Sequence, residues 1–293
     1  MRALRALLAG QPAVARSIPE QREADRAEAA NTALPPDTRV ETVTLGGVPA
    51  LRVRSGRGEG PVIAHFHAGA YVYRSAFEYR AFGGALANAA AAEIALIDYR
   101  LAPEHVFPAA FEDGLSSYRA LLDRGTPPQR LILSGDSAGG GLVLAITAAA
   151  RDRGWPLPAG LVLMSPWTDL TCSSDSYRVL ASADPRVTRD VLLANAKLYL
   201  AGADPRDPRA SPAFASMAGL PPTLIMVGSD EVMLGDSLVT YGAMRAADCQ
   251  VRLEVWPDMI HVWHRFADRL SDGRRAIERL ASFARERWGH PST

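Results

Sequence analysis

The pentapeptide G-D-S-A-G at residues 135–139 has the pattern G-x-S-x-G, in which a serine can act as a nucleophile. A short apolar run, L-I-L at 131–133, precedes it, and a second apolar run at 142–146 follows. This order predicts a strand, a sharp turn and a helix, which hold one serine exposed above the edge of a sheet. Glycines flank the turn because strand and helix pass too close for side chains. We interpret Ser137 as a candidate nucleophile beside the free amides of a helix N-terminus.

A serine hydroxyl needs a base to take its proton, and that base needs a carboxylate to orient it. On a strand–turn–helix nucleophile these partners follow in the order serine, acid, histidine. Asp230 and Glu231 follow one apolar run, and either could be the acid. His261 follows the next run and is the candidate base. His264 falls within a predicted helix, and we expect it to pack or to meet solvent.

The other polar residues of these loops have structural interpretations. His65 lies inside a predicted strand, and His105 lies in a proline-flanked loop where a structural hydrogen bond suffices. Four carboxylates are expected to cap helices or form turns: Asp113, Asp136, Asp169 and Asp258. The loop H-A-G-A at 67–70 follows a strand, and its small residues could bring amides to an oxyanion. A tight strand-to-helix turn would use the same small residues.

The elements that must position these groups follow from the hydrophobic pattern. Continuous apolar runs recur at 62–66, 94–97, 131–133, 161–164, 224–227 and 251–255, separated by helix-length segments. Such runs are typical of strands buried on both faces, and their alternation with helices predicts a mainly parallel sheet. Before them, alternation around Gly46 and Gly47 predicts a hairpin.

Two segments are expected to fold over the carboxyl edge of this sheet, where ligands bind. Residues 1–35 are rich in alanine and arginine with helical spacing. Leu4, Leu7 and Leu8 suggest an amphipathic helix there rather than a signal peptide. Residues 169–222 are longer than a crossover needs and include a predicted helix at 190–200.

Composition sets limits on function. The 293 residues, 48% of them hydrophobic, suffice for one large domain. A formal net charge of zero, without a basic block, argues against nucleic-acid binding. Cys172 and Cys249 form no C-x-x-C motif and are expected to be buried apolar residues. No apolar stretch reaches the ~18 residues of a membrane span, so we expect no stable membrane insertion and a cytoplasmic location.

Four segments resemble the hormone-sensitive-lipase-like branch of the α/β-hydrolases, the bacterial family IV esterases. They are F-H-A-G-A-Y-V at 66–72, resembling the family's H-G-G-G loop, Y-R-L-A-P-E-H-V-F-P-A-A at 99–110, G-D-S-A-G-G at 135–140 and S-P-W-T-D-L at 165–170. The resemblance runs from about residue 40 to 285. It implies an α/β-hydrolase fold: a mostly parallel eight-stranded sheet flanked by helices, with a small helical cap. Residues 1–38 would form the N-terminal cap segment and 39–293 the catalytic domain, of which 170–215 contribute to the cap.

The resemblance also implies roles for individual residues. The backbone amides of Gly69, Ala70 and Ala138 would form an oxyanion hole. The family's acid motif aligns best with E-V-M at 231–233, which favours Glu231 over Asp230 as the partner of His261.

The H-A-G-A loop departs from the family pattern because alanines replace two glycines, at Ala68 and Ala70. Their amides still donate, although a methyl group at positive φ costs roughly 1 kcal/mol. Such a methyl also narrows the space beside the scissile carbonyl, so esters of bulky tertiary alcohols are not expected as substrates. His67 is expected to brace this loop.

These observations predict a serine carboxylesterase that hydrolyses short- to medium-chain acyl esters through an acyl-enzyme, with no cofactor and no metal. Tyr71 and Trp167 are the candidate substrate-binding residues. A lactone or N-acetyl hydrolase with the same triad is the first alternative, and a non-catalytic small-molecule binding protein on the same fold is the second. The expected partner is a small-molecule ester. A homodimer could form if the run at 251–255 is a sheet edge.

Overall fold

A computed structural model describes residues 16–56 and 60–289. Its strands are β1 (Arg39–Leu45), β2 (Val48–Arg54), β3 (Val62–Phe66), β4 (Glu93–Ile97), β5 (Leu131–Asp136), β6 (Gly160–Met164), β7 (Thr223–Gly228) and β8 (Val251–Trp256). Its α-helices are α1 (Ile18–Ala30), α2 (Arg80–Ala90), α3 (Ala109–Asp123), α4 (Ala138–Asp152), α5 (Ser176–Val179), α6 (Arg189–Leu200), α7 (Leu234–Ala246) and α8 (Ser271–Arg287). Short 3₁₀ turns cover Ala76–Tyr79, Pro128–Arg130, Pro212–Phe214 and Trp263–Phe266. The helix predicted around Leu4, Leu7 and Leu8 lies outside the described residues.

The eight strands form one sheet in the order β1-β2-β4-β3-β5-β6-β7-β8. β1 pairs antiparallel with β2, and β2 pairs antiparallel with β4. Every other neighbouring pair is parallel. The predicted hairpin and the predicted mostly parallel eight-stranded sheet are therefore confirmed, and β8 lies at the edge of the sheet as the dimer hypothesis requires.

The sheet has a hydrophobic core on each face, which explains its continuous apolar runs. Successive side chains of a strand point to opposite faces. In β3, Val62, Ala64 and Phe66 pack into one core, which includes residues of α3 and α4. Ile63 packs into the other core, with residues of α2 and α8. Strands buried on both sides can carry apolar residues at every position.

Three helices belong to the segments that were expected to cover the carboxyl edge. α1 begins with a capping box in which Ser17 and Glu20 satisfy each other's backbone amides. From α1, Arg22 donates to the carbonyl oxygens of Val72 and Ala102 and pairs with Glu104. α5 and α6 lie within 170–215, α6 nearly as predicted. The division into a cap and a catalytic domain stays a prediction. In the described ranges, no helix is both long and apolar enough to cross a membrane.

Candidate active site

Ser137 lies in a strained turn between β5 and α4. Its φ is 54° and its ψ is −121°, a conformation that non-glycine residues rarely adopt. A Cβ atom at Gly135 would overlap the backbone of Gly139, and one at Gly139 would overlap the carbonyl oxygen of Phe66. The amide of Ser137 donates to the carbonyl of Met164, at the end of β6, over 2.9 Å. The predicted strand–turn–helix around the serine is confirmed, and so is the steric need for its glycines.

Ser137, His261 and Glu231 form one hydrogen-bonded chain. His261 Nε2 lies 3.0 Å from Ser137 Oγ, and His261 Nδ1 lies 2.7 Å from Glu231 Oε2. A carboxylate only accepts hydrogen bonds, so Nδ1 carries the imidazole proton and Nε2 is left to accept from the serine. The three residues are 4%, 4% and 0% exposed, so their hydrogen bonds are shielded from water.

Glu231 is fixed by bonds to its second oxygen. Oε1 accepts from the amide of Gly228 at 2.5 Å and from the hydroxyl of Ser165 at 2.8 Å. Ser165 Oγ in turn accepts from the amide of Val262, the residue after His261. One serine hydroxyl thus holds both loops in register. Sequence reasoning missed this role of Ser165, because Glu231 and Val262 lie 66 and 97 residues away from it in the chain.

Asp230, the other candidate acid, lies outside this chain of bonds. Its amide donates to the carbonyl of Met259, and its carboxylate accepts from the hydroxyl of Ser229 at 2.6 Å. The side chain is partly exposed, whereas Glu231 is completely buried. The structure therefore brings Glu231, and not Asp230, to His261.

The H-A-G-A loop turns its backbone through three consecutive residues with positive φ: Gly69 (127°), Ala70 (53°) and Tyr71 (62°). A side chain at position 69 would overlap the carbonyl of Tyr73. The expected strain of a methyl at positive φ occurs at Ala70. In the part of the chain that the structure describes, the amides of Gly69, Ala70 and Ala138 have no hydrogen-bond acceptor. They are free to donate to a ligand atom.

Asp136 was expected to cap a helix or form a turn, and that expectation is wrong. Its carboxylate is fully buried at the end of β5. It accepts from the Tyr79 hydroxyl at 2.7 Å and from His264 Nε2 at 3.2 Å, and His65 Nε2 lies 3.4 Å away. Burial would raise the pKa of Asp136, but the bonds to His264 and His65 outweigh it and hold this pKa well below its usual range.

This buried network reaches the H-A-G-A loop through Tyr79. The Tyr79 hydroxyl donates to Asp136 and accepts from the amide of Ala68 at 2.9 Å. Burial lowers the pKa of His264, so this histidine donates to Asp136 as a neutral imidazole. The expectation that His264 packs is confirmed. The charged carboxylate of Asp136, next to Ser137, thus fixes the H-A-G-A loop through the hydroxyl of Tyr79.

His67 braces the same loop from the other side, as expected. Its ring stacks on Tyr99 with centroids 4.2 Å apart, and the Tyr99 hydroxyl donates to the His67 carbonyl at 2.6 Å. Burial is the main cause that lowers the pKa of His67. A neutral ring fits this packed environment.

The two candidate substrate-binding residues are both buried. Tyr71 is 1% exposed, stacks on Tyr199 with centroids 4.0 Å apart and donates its hydroxyl proton to the carbonyl of Ala138. Trp167 is 0% exposed. The Tyr71 hydroxyl therefore supports the first turn of α4. Contact of either side chain with a substrate stays a prediction.

Asp184 connects the 170–215 segment to the loop after β7 that carries Glu231, called the acid loop below. Sequence reasoning missed this residue. Its carboxylate accepts from the amide of Val232 at 3.1 Å and from the amide of Arg186 at 2.9 Å. Burial raises the pKa of Asp184, against the opposing effect of nearby His261. No sequence motif marks the contact with the acid loop, since Val232 lies 48 residues away from Asp184 in the chain.

Of two further loop carboxylates, Asp169 follows the expectation and Asp113 does not. Asp169 forms a turn by accepting from the amides of Thr171 and Ser173, as expected. Asp113 instead lies inside α3 and binds the guanidinium of Arg100. Both cysteines are free and buried, as expected.

Among the described residues no cluster of His, Cys, Asp and Glu could hold a metal ion. The absence of a metal or cofactor from the reaction stays a prediction.

Comparisons with known proteins agree with this architecture. The sequence model of a protein family with the α/β hydrolase fold matches residues 63–265. The chain is 44% identical over 273 residues to an acetyl-hydrolase of Streptomyces hygroscopicus, which covers 90% of this chain and 88% of the relative. It is 34% identical over 250 residues to an esterase of Acinetobacter venetianus, covering 85% and 82%.

Solved structures are also similar to this chain over nearly its whole length. The crystal structure of EstE5 soaked with ethyl alcohol matches with a TM-score of 0.94 and 44% identity, covering 98% of both chains. A hormone-sensitive lipase from a metagenome library matches with a TM-score of 0.95 and 35% identity, also covering 98% of both chains.

Proposed function

Since this chain belongs to the hormone-sensitive-lipase-like branch of the α/β-hydrolase family, we propose that it is a serine carboxylesterase acting through Ser137, His261 and Glu231. The observation that carries the proposal is the buried chain of hydrogen bonds from Ser137 Oγ through His261 to Glu231, at 3.0 and 2.7 Å. Close beside it, Gly69, Ala70 and Ala138 offer amides without acceptors in the described residues. A nucleophile, a base, an acid and oxyanion donors are the four parts that acyl transfer requires.

Acylation begins when Ser137 Oγ attacks the ester carbonyl carbon and His261 Nε2 takes the hydroxyl proton. The carbonyl electrons move onto oxygen, and the amides of Gly69, Ala70 and Ala138 bind the oxyanion. Glu231 stabilises the imidazolium through Nδ1–H. When the tetrahedral intermediate collapses, the bond to the alcohol oxygen breaks and His261 gives its proton to the leaving alcohol.

Deacylation repeats these steps with water in place of the serine. His261 Nε2 takes a proton from water as its oxygen attacks the acyl carbon, and the same amides bind the second oxyanion. Collapse breaks the bond to Ser137 Oγ, which regains its proton from His261. The products are a carboxylic acid and a free enzyme, so no cofactor enters the balance.

We propose short to medium acyl chains as substrates. The Streptomyces relative is an acetyl-hydrolase, and EstE5 crystals were soaked with p-nitrophenyl butyrate. The acetyl-hydrolase also favours N-acetyl hydrolysis as a second candidate, since the same four parts act on esters and amides. A non-catalytic binding protein is disfavoured because the chain retains serine, acid and histidine in hydrogen-bond contact. A homodimer through β8 and a cytoplasmic location stay predictions.

A series of 4-nitrophenyl esters from acetate through butyrate and octanoate to palmitate tests the proposal. We expect the highest kcat/KM between acetate and octanoate and a steep fall at palmitate. The Ser137→Ala variant should show only background hydrolysis. Palmitate as the best substrate would contradict the chain-length proposal, and full activity of Ser137→Ala would contradict the mechanism.

A further inference from the structure

A cavity of about 700 Å³ lies between α1, the Ala76–Tyr79 turn and two loops that carry arginines. Arg74, Arg186 and Arg265 line it, although they are far apart in the sequence. Each belongs to a loop near the proposed catalytic groups. Arg74 follows the H-A-G-A loop, Arg265 follows His261, and Arg186 follows Asp184, which binds the acid loop. The cavity therefore borders the loops that build the active site.

Four of the nine described charged residues that line this cavity form ion pairs with one another. Arg74 pairs with Asp25 at 3.2 Å, and Arg269 pairs with Asp268 at 2.8 Å. The Glu78 carboxylate accepts from the hydroxyl of Ser75 at 2.6 Å. The cavity's other charged residues are Arg16, which donates to Gln21 at 3.4 Å, and the exposed Glu28.

Arg186 and Arg265 differ from Arg74 and Arg269, which have carboxylate partners. Within residues 16–56 and 60–289, neither guanidinium has a carboxylate within 4.0 Å. The guanidinium of Arg186 lies 5.1 Å from the ring centroid of Phe266, and that of Arg265 lies 4.4 Å from the ring centroid of Tyr79. Aromatic rings thus replace carboxylates as their neighbours.

Arg186 has the less favourable environment of the two. Among residues 16–56 and 60–289, its Nε is buried without a hydrogen-bond partner. Burial lowers the pKa of Arg186 to about 10, and repulsion by Arg265 and Arg74 adds to this effect. Asp184 opposes the shift, but its carboxylate is occupied by backbone amides. An anion in the cavity would satisfy the buried N–H and relieve the repulsion.

We propose that this cavity binds an anionic oxygen group, a carboxylate or a phosphate, through Arg186 and Arg265. The planar guanidinium presents paired donors that match the oxygens of both groups. The anion belongs either to an ester substrate with an acidic end or to a separate small ligand. The first case rests on the proposed esterase function, and the second does not.

Binding is measured through the thermal unfolding midpoint, with potassium phosphate compared with potassium chloride at equal ionic strength. Phosphate should raise the midpoint of the wild type. Arg186→Gln should lose this rise, and Arg178→Gln should keep it, because Arg178 is an exposed arginine that does not line the cavity. No rise in the wild type, or an equal rise in Arg186→Gln, would overturn the proposal. Phosphate also raises unfolding midpoints through its exclusion from protein surfaces. If Arg186→Gln does not fold, Arg265→Gln takes its place and should lose the rise, whereas Arg186→Lys, which keeps the charge, should retain part of it.

Kinetics identify the source of the anion. The substrates are the 4-nitrophenyl monoester of succinate and the 4-nitrophenyl ester of 4-methylpentanoate, in which an isopropyl group replaces the carboxylate. If the anion is part of the substrate, Arg186→Gln should lower the ratio of the two kcat/KM values by roughly tenfold. Arg178→Gln should leave that ratio unchanged.

An unchanged ratio together with a lost phosphate effect in Arg186→Gln assigns the cavity to a separate ligand, which also supports the proposal. An unchanged ratio and an unchanged phosphate effect would overturn it. If the wild type hydrolyses neither ester, the proposed function fails, whereas the phosphate measurement still tests the anion site.

Discussion

Replacing Glu231 by glutamine tests how a buried carboxylate sets the state of His261. Both carboxylate oxygens accept hydrogen bonds. Oε1 accepts from Gly228 N–H and the Ser165 hydroxyl, and Oε2 accepts from His261 Nδ1–H. Glutamine offers one oxygen and one NH₂ group in the same space, so one of these positions must change from acceptor to donor.

The backbone decides which position changes. Gly228 N–H can only donate, so the glutamine oxygen stays there and its NH₂ group turns to His261 Nδ1. The imidazole must then accept at Nδ1 and carry its proton on Nε2, where it can no longer take the proton of Ser137. The opposite orientation leaves buried donors facing each other, at a cost of about 1–3 kcal/mol per unsatisfied group.

We therefore expect Glu231→Gln to lower kcat by about 10⁴-fold, as the same carboxylate-to-amide change does in a protease triad. This corresponds to about 5 kcal/mol in the activation barrier. KM should change little, because in the described part of the chain the carboxylate binds His261, Ser165 and a backbone amide and nothing else. The partly exposed Asp230 is the matched control, and Asp230→Asn should keep kcat within about twofold.

The assay is steady-state hydrolysis of 4-nitrophenyl acetate, with thermal unfolding curves to show that both variants are folded. A collapse of kcat in Asp230→Asn with normal activity in Glu231→Gln would refute the assignment. A folded Glu231→Gln variant with kcat within tenfold of the wild type would refute the reasoning about the imidazole proton.

Three further predictions concern the residues around the nucleophile and the core. Tyr79→Phe removes the acceptor of the Ala68 amide and a donor to Asp136. Steady-state kinetics should show a roughly tenfold lower kcat, and urea unfolding should show a free energy of unfolding lower by about 1–3 kcal/mol. Gly139→Ala places a methyl against the Phe66 carbonyl and should yield no stably folded protein, as size-exclusion chromatography and circular dichroism would show. Burial raises the pKa of Asp236 from 3.8 to about 7. The folded state therefore binds the carboxyl proton more tightly than the unfolded state does. This proton binding stabilises the fold in full below about pH 4, and the stabilisation is lost as pH rises through 7. Urea unfolding of the wild type and of Asp236→Asn is compared from pH 4.5 to 8. The unfolding free energy should fall more steeply with pH in the wild type than in the variant, and equal slopes would contradict the assignment.

The sheet and the turn that holds Ser137 could be predicted from the sequence because their determinants are local. Strands buried on both faces require apolar residues at every position, which the run at 62–66 displays directly. The turn at Ser137 requires glycines at fixed offsets from the serine. Both patterns are complete within a few residues, so neighbouring positions suffice to recognise them.

The role of Asp136 could not be predicted because its partners come from separate segments. His65 lies in β3, Tyr79 in a 3₁₀ turn and His264 beyond β8, and only the folded sheet brings them together. The choice between Asp230 and Glu231 was similarly open to local reasoning. It depends on the turn after β7, where the amide of Asp230 binds the carbonyl of Met259 and Glu231 points inward.

The central claim is that Ser137 is a nucleophile activated by His261. A serine-directed fluorophosphonate tests it most directly, because its phosphorus is attacked by an activated serine hydroxyl. Intact-mass and peptide mass spectrometry should find one adduct, located on Ser137, with loss of esterase activity in proportion to labelling. The folded Ser137→Ala variant should take up no label. Folded wild-type protein without an adduct, or with its adduct on another serine, would contradict the claim.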